Sequence, residues 1–221
     1  MTGKTHLAGG FAAGTGLYAA AGSIPGLEGV LPVSVSIVGV PVPMLVLGTA
    51  VSVVAALLPD IDEPESLIAH APDAVRKQLG KGRKGADRSA RRSAGMLLRL
   101  LQVVFTSLAW LVRLFAGGHR GATHMLLIGA GLSAGMYFLG DAIGFASLWL
   151  WFAVGYGSHL FLDMMTPSGL ELLWPVVRRP LRLLPRPLCI TTGTAGDSVI
   201  RVLLLAAGAW FLYTAFSTIA R

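Results

Sequence analysis

Apolar runs near the length of a bilayer crossing decide what this chain can be. Residues 38–58, 142–162 and 199–219 are almost bare of charge, and a run of about 20 apolar residues crosses the hydrocarbon core as a helix. Lipid offers the backbone no hydrogen-bond partner, so such runs must be helices. Residues 125–139 form another apolar run. Residues 7–22 form a Gly- and Ala-rich one, suited to close helix packing in lipid. The first run follows Lys4 without a convincing cleavage site and reads as a retained span rather than a signal peptide. Only 13% of the 221 residues are charged, against about 25% in an average soluble domain. The expectation is an all-α, polytopic membrane bundle: one domain with about five transmembrane helices.

Polar residues punctuate these runs. A Pro/Gly-rich loop at 23–43 overlaps the start of the second run, where Pro41 and Pro43 blur the boundary. That run stops at Leu58-Pro59-Asp60-Ile61-Asp62-Glu63-Pro64, a turn rich in carboxylates and barred from helix by its prolines. Next comes a basic stretch, 76–92, carrying Arg76, Lys77, Lys81, Arg83, Lys84, Arg88, Arg91 and Arg92 against the lone acid Asp87. Residues 94–116 are apolar but broken by Arg99, Gln102 and Arg113, which predicts an interfacial or re-entrant amphipathic helix. His119-Arg120-Gly121-Ala122-Thr123-His124 precedes the next span, and Asp141 is expected to mark the turn after it. His159 and Asp163 close the following run. A polar connection at 166–196 carries Arg178, Arg179, Arg182 and Arg186.

Arginine and lysine mark the cytoplasmic side of short membrane loops. Both basic blocks therefore belong inside, and threading the spans from them sends His6, Asp60, Asp62, His119, His124, His159 and Asp163 to one membrane face. Scattered polar residues have no reason to segregate in this way, although helix caps at the interface would account for some of them. Reporter fusions at Lys84 and Arg182 are expected to read cytoplasmic, and a fusion after Arg221 external. An external signal at Lys84 would overturn the shared-face argument.

His159 and Asp163 are four residues apart, which puts them on one helix face, one turn apart. Imidazole with carboxylate suits Zn, Mn or Fe. Cys189 is the sole cysteine, so thiolate sites are excluded. The gathered imidazoles and carboxylates suffice for two metal ions with open positions, chemistry that fits in-line displacement at phosphorus. Arg120 is placed to clamp a phosphate, with head-group snorkelling as its ordinary alternative. Thr123 and Thr166 read best as caps, and Glu171 as a surface acid. There is no Walker, dinucleotide or His-Glu-x-x-His pattern.

Lys4-Thr5-His6, Leu58-Pro59-Asp60-Ile61-Asp62, His119-Arg120-x-x-Thr123-His124 and His159-x-x-x-Asp163-x-x-Thr166-x-x-Gly169-x-x-Leu172-Leu173-Trp174-Pro175 occur in this order. Together they resemble the LexA-regulated, membrane-bound, metal-dependent hydrolases (YdjM-like), which are distantly similar to zinc-dependent phospholipase C. The resemblance covers most of the chain from His6 to Pro175 and implies a phosphoester substrate. It implies His6, Asp60, His119, His159 and Asp163 as ligands of one to two or more divalent metal ions, zinc first. Asp62 and His124 match motif positions as ligands or supporting residues and, with Arg120, complete the candidate catalytic set. The basic stretch before Gly118 departs from the compact pattern of that family.

The leading expectation is a hydrolase of a phospholipid or other lipid phosphate, in a bacterial inner membrane with its site on the cytoplasmic side. The basic stretch would meet anionic lipid head groups. A metal or solute transporter would want ionisable residues near the middle of its spans. A membrane-tethered nucleic-acid binder would want aromatics among its basic residues, and 76–92 has none. No nucleic-acid partner is expected. Nothing in the chain points to an oligomeric state.

Overall fold

The computed structural model describes residues 1–21, 24, 31–37, 40–62 and 122–219. His70, the basic stretch 76–92, the segment 94–116, His119 and Arg120 lie outside the described residues. The chain divides into two units, Met1–Pro59 with His124–Arg221, and Asp60–Thr123. Of the second, the turn residues Asp60–Asp62 and 122–123 are described.

The first unit is helical. Its elements are α1 (Gly3–Ala21), the hairpin strands β1 (Ser34–Ile37) and β2 (Val40–Pro43), α2 (Met44–Leu57), α3 (Leu126–Ile143), α4 (Leu148–Met164) and α5 (Ala195–Ile219). Helices α1, α2 and α4 pack mutually. Helix α3 leans on α4, and α5 on α1.

Three stretches among the described residues are long and apolar enough to cross a membrane: Met44–Ile61, Leu126–Ile143 and Ala195–Ser217. The last two are only 11% buried within the protein. Leu127, Phe138, Val202 and Trp210 are mostly exposed, and a surface so apolar belongs in lipid. The other two helices fall short of that measure, so five crossings are not what the described helices show by length and composition. Helix α4 has 17 residues, and α1 dilutes its hydropathy with Gly and Lys4.

Small residues set the packing at the centre. Lipid is as apolar as a leucine side chain, so helices associate there by close van der Waals fit. A Cβ on Gly155 of α4 would stand 2.2 Å from the Ser52 carbonyl oxygen of α2, and one on Gly48 would stand 2.2 Å from the Trp151 indole. At this crossing the Ser52 hydroxyl donates to the Trp151 carbonyl at 2.8 Å.

Several boundaries differ from the sequence expectation. Helix α2 begins at Met44 rather than 38, because Pro41 and Pro43 lie in a strand paired with β1. Helix α1 begins at Gly3, so His6 sits inside its first turns rather than before them. Asp141 lies in the last turn of α3, and the chain reverses instead at Gly144, whose φ of 77° is the left-handed conformation that ends helices. Helix α5 starts at Ala195 rather than 199.

Candidate metal centre

Helix α4 carries His159 and Asp163 on its final turns, one above the other, and both are buried. Helix α1 delivers His6, also buried. His6 stacks on His159 with ring centroids 3.8 Å apart and planes 15° from parallel. His124 ends the short 3-10 turn Ala122–His124 just before α3. Its Nε2 lies 3.2 Å from the Nε2 of His159.

The Asp163 carboxylate faces all three rings. Its Oδ1 is 3.2 Å from His6 Nε2, and its Oδ2 is 3.8 Å from the Nε2 atoms of both His124 and His159. The amino group of Met1 also contacts Oδ1.

The protonation of His159 follows from its other nitrogen. Nδ1 lies 2.8 Å from the Ala56 carbonyl of α2, and a carbonyl only accepts, so Nδ1 carries the proton. In the neutral ring Nε2 then presents its lone pair to the cluster. A backbone carbonyl fixing one ring nitrogen is the usual support for a metal-binding histidine.

His6 is the telling residue. Its Nε2 is close to Asp163, yet among the described residues neither ring nitrogen meets hydrogen-bond geometry. A buried polar atom left unsatisfied costs about 1–3 kcal/mol. His6, His159 and Asp163 offer ligand atoms all within 4.8 Å of one another. Zinc bonds of about 2.0–2.1 Å put tetrahedral ligand atoms roughly 3.3 Å apart; here His6 Nε2 and His159 Nε2 lie 3.2 Å and 3.8 Å from the Asp163 carboxylate oxygens. The nitrogen and oxygen donors of this cluster therefore fit a divalent metal such as Zn, Mn or Fe.

The structure thus brings together His6, His124, His159 and Asp163. Asp60 is half-buried in the 3-10 turn Leu58–Asp62 that follows α2, within the second unit. The backbone of Asp62 closes the same turn, but its side chain is outside the described residues, as are His119 and Arg120. Thr166 is a cap: its hydroxyl donates to the Asp163 carbonyl at 2.7 Å. Glu171 is exposed.

One supporting residue, Asp197, is not among the residues the sequence singles out. Asp197 is buried in the first turn of α5, where a carboxylate complements the helix dipole. It accepts from the Thr5 hydroxyl at 2.7 Å and from the Gly193 backbone N–H at 3.0 Å. This bond ties the turn that carries His6 to α5. An acid three residues after Thr194 was the available signal of a helix start.

The model of the YdjM inner membrane protein family matches residues 1–221. Inner membrane protein YdjM of Escherichia coli (strain K12) is 29% identical over 126 residues, covering 56% of this chain and 47% of that protein. The same figures hold for the YdjM protein of Shigella flexneri. The chain thus spans about half the length of these curated relatives. Protein YvsG of Bacillus subtilis (strain 168) is 29% identical over 217 residues, covering 98% of this chain and 97% of its own length. No solved structure matches the chain significantly.

Proposed function

The chain belongs to the YdjM inner membrane protein family, and from that premise we propose that it is a membrane-bound, metal-dependent hydrolase. Its proposed substrate is a phosphoester, a phospholipid or other lipid phosphate, cleaved at the cytoplasmic face. The observation that carries this reading is the convergence of three buried side chains from two helices, His6, His159 and Asp163, whose ligand atoms lie within 4.8 Å of one another.

In this reading His6, His159 and Asp163 hold the ion. His119 and Asp60 enter as further ligands, and Asp62 and Arg120 as catalytic groups, through their sequence motifs alone. A bound Zn, Mn or Fe ion supplies Lewis acidity toward a phosphoryl oxygen and makes water more acidic. The chain supplies the rest. The Ala56 carbonyl keeps the proton of His159 on Nδ1, so the Nε2 lone pair stays on the site. Asp163 supplies negative charge beside three imidazoles. His124, with its Nε2 at the cluster, is the group placed to hold or pass a proton. The stacked rings and the surrounding helices keep bulk water from the buried atoms.

The test is elemental analysis of the purified protein after dialysis against a weak chelator, paired with hydrolysis of bis(4-nitrophenyl) phosphate and of phosphatidic acid in micelles. Retained metal and phosphate or nitrophenol release are expected. A protein that keeps no metal and gains no activity with added Zn or Mn is not this enzyme.

A further inference from the structure

Between α3 and α4 runs a groove of about 500 Å³, within the range of small-ligand sites. We propose that this groove holds one acyl chain of a membrane lipid whose head group lies at the His/Asp cluster. The head-group end of the proposal rests on the hydrolase reading above.

The groove is made by residue size. Ala130, Ala134, Ala153 and Gly157 line its middle, and the larger Tyr137 and Trp149 stand at the end away from His159. Its floor is the Tyr156 ring lying over Gly129, where a Cβ would come within 2.4 Å. The chemistry of the lining selects the occupant. Ser133 spends its hydroxyl on the Gly129 carbonyl of its own helix at 2.8 Å, and the remaining residues of the middle are apolar. The polar groups of the lining are few, the Ser133 hydroxyl and the ring groups of Tyr137, Trp149 and Tyr156, so a polar ligand gains little for the water it gives up, whereas a hydrocarbon chain loses nothing on entering.

Position and length point the same way. The groove is continuous with the lipid-facing surface of α3, which is exposed along most of its length. On α4 it includes Leu160, the residue after His159, and Tyr156, nearly one turn before it. On α3 it starts at Leu126, two residues after His124. From Leu126 to Tyr137 a helix rises about 16 Å at roughly 1.5 Å per residue, which is about half the 30 Å hydrocarbon core and so one leaflet deep. A lipid in that leaflet has its chain in the groove when its phosphate is at the cluster. Tyr137 and Trp149 then limit the chain length.

The test uses the full-length protein in phosphatidylcholine vesicles containing phosphatidic acid with a diazirine in its acyl chain. After irradiation, adducts are mapped by mass spectrometry. They are expected to concentrate on Ala134, Ala153 and Leu160 over the lipid-exposed Val202 and Leu203 of α5. A Cβ at Gly157 meets open space, so Gly157→Leu can direct its side chain into the groove. It should cut groove adducts about tenfold, the factor given by a loss of about 1.4 kcal/mol. Gly131→Leu is the control: this position also meets open space but does not line the groove, and adducts should persist. If Gly157→Leu fails to insert, Ala134→Leu makes the same test. Equal labelling of α3 and α5, or adducts insensitive to both groove variants, would overturn the proposal. Labelling needs no turnover. Groove adducts without any phosphoester hydrolysis would remove the hydrolase reading and with it the head-group end, leaving the acyl-chain groove, and hydrolysis without groove adducts would remove the groove alone.

Discussion

Replacing His159 with alanine is expected to reduce bound metal to background and phosphoester hydrolysis by more than about 100-fold, beyond what loss of a supporting residue alone causes. His159 is the hub of the cluster. It stacks on His6, meets His124 and Asp163 through Nε2, and is held by the Ala56 carbonyl through Nδ1. Asp163→Asn should give the same result for a different reason: it keeps the shape and removes the charge that faces three imidazoles. The competing explanation, a helix cap with a buried polar pair, predicts only a stability loss of about 0.5–2 kcal/mol with metal content unchanged. Elemental analysis of wild type and both variants separates the two explanations, with elution in detergent as the check on insertion and folding. Equal metal in all three proteins would end the metal-centre reading.

The parts of this site legible in the sequence were those carried by side chains at helix ends. Charge placement alone sent His6, His124, His159 and Asp163 to one end of the bundle, and the structure brings these four together. The i, i+4 spacing of His159 and Asp163 survived unchanged because it depends only on helix geometry. What was illegible is mostly backbone. The Ala56 carbonyl that fixes the His159 proton belongs to a residue with no polar side chain. Asp197 is illegible because the apolar run begins at 199, past the helix N-terminus that makes a buried carboxylate tolerable. The start of α2 at Met44 is hidden for a related reason. Val40 and Val42 are apolar enough to extend a span, but the prolines at 41 and 43 confine that stretch to a hairpin. Glycine counts announced close helix packing without saying which glycine meets which helix.

A valine at Gly155 is expected to weaken metal binding about 10–100-fold although no ligand is touched. The added Cβ would fall 2.2 Å from the Ser52 carbonyl oxygen and 2.7 Å from its Cα. Both are backbone atoms, so no side-chain rotation relieves the clash and α2 must move away from α4. Overpacking of this kind costs about 1–3 kcal/mol. It also stretches the Ser52–Trp151 hydrogen bond, worth about 0.6 kcal/mol between membrane helices. The consequence for the site follows from helix periodicity. Ala56 lies one turn beyond Ser52, and His159 one turn beyond Gly155, so separating the helices at the crossing pulls the Ala56 carbonyl from His159 Nδ1. Loss of such a supporting bond weakens metal binding about 10–100-fold. Gly135→Ala is the matched control: its Cβ meets open space, and alanine favours a helix over glycine by up to about 1 kcal/mol. Metal affinity is read by competition with a chelator, and stability by thermal unfolding in detergent. Wild-type affinity in Gly155→Val, alongside a lowered melting temperature, would show that the site tolerates helix separation and that the Ala56–His159 bond does not govern it.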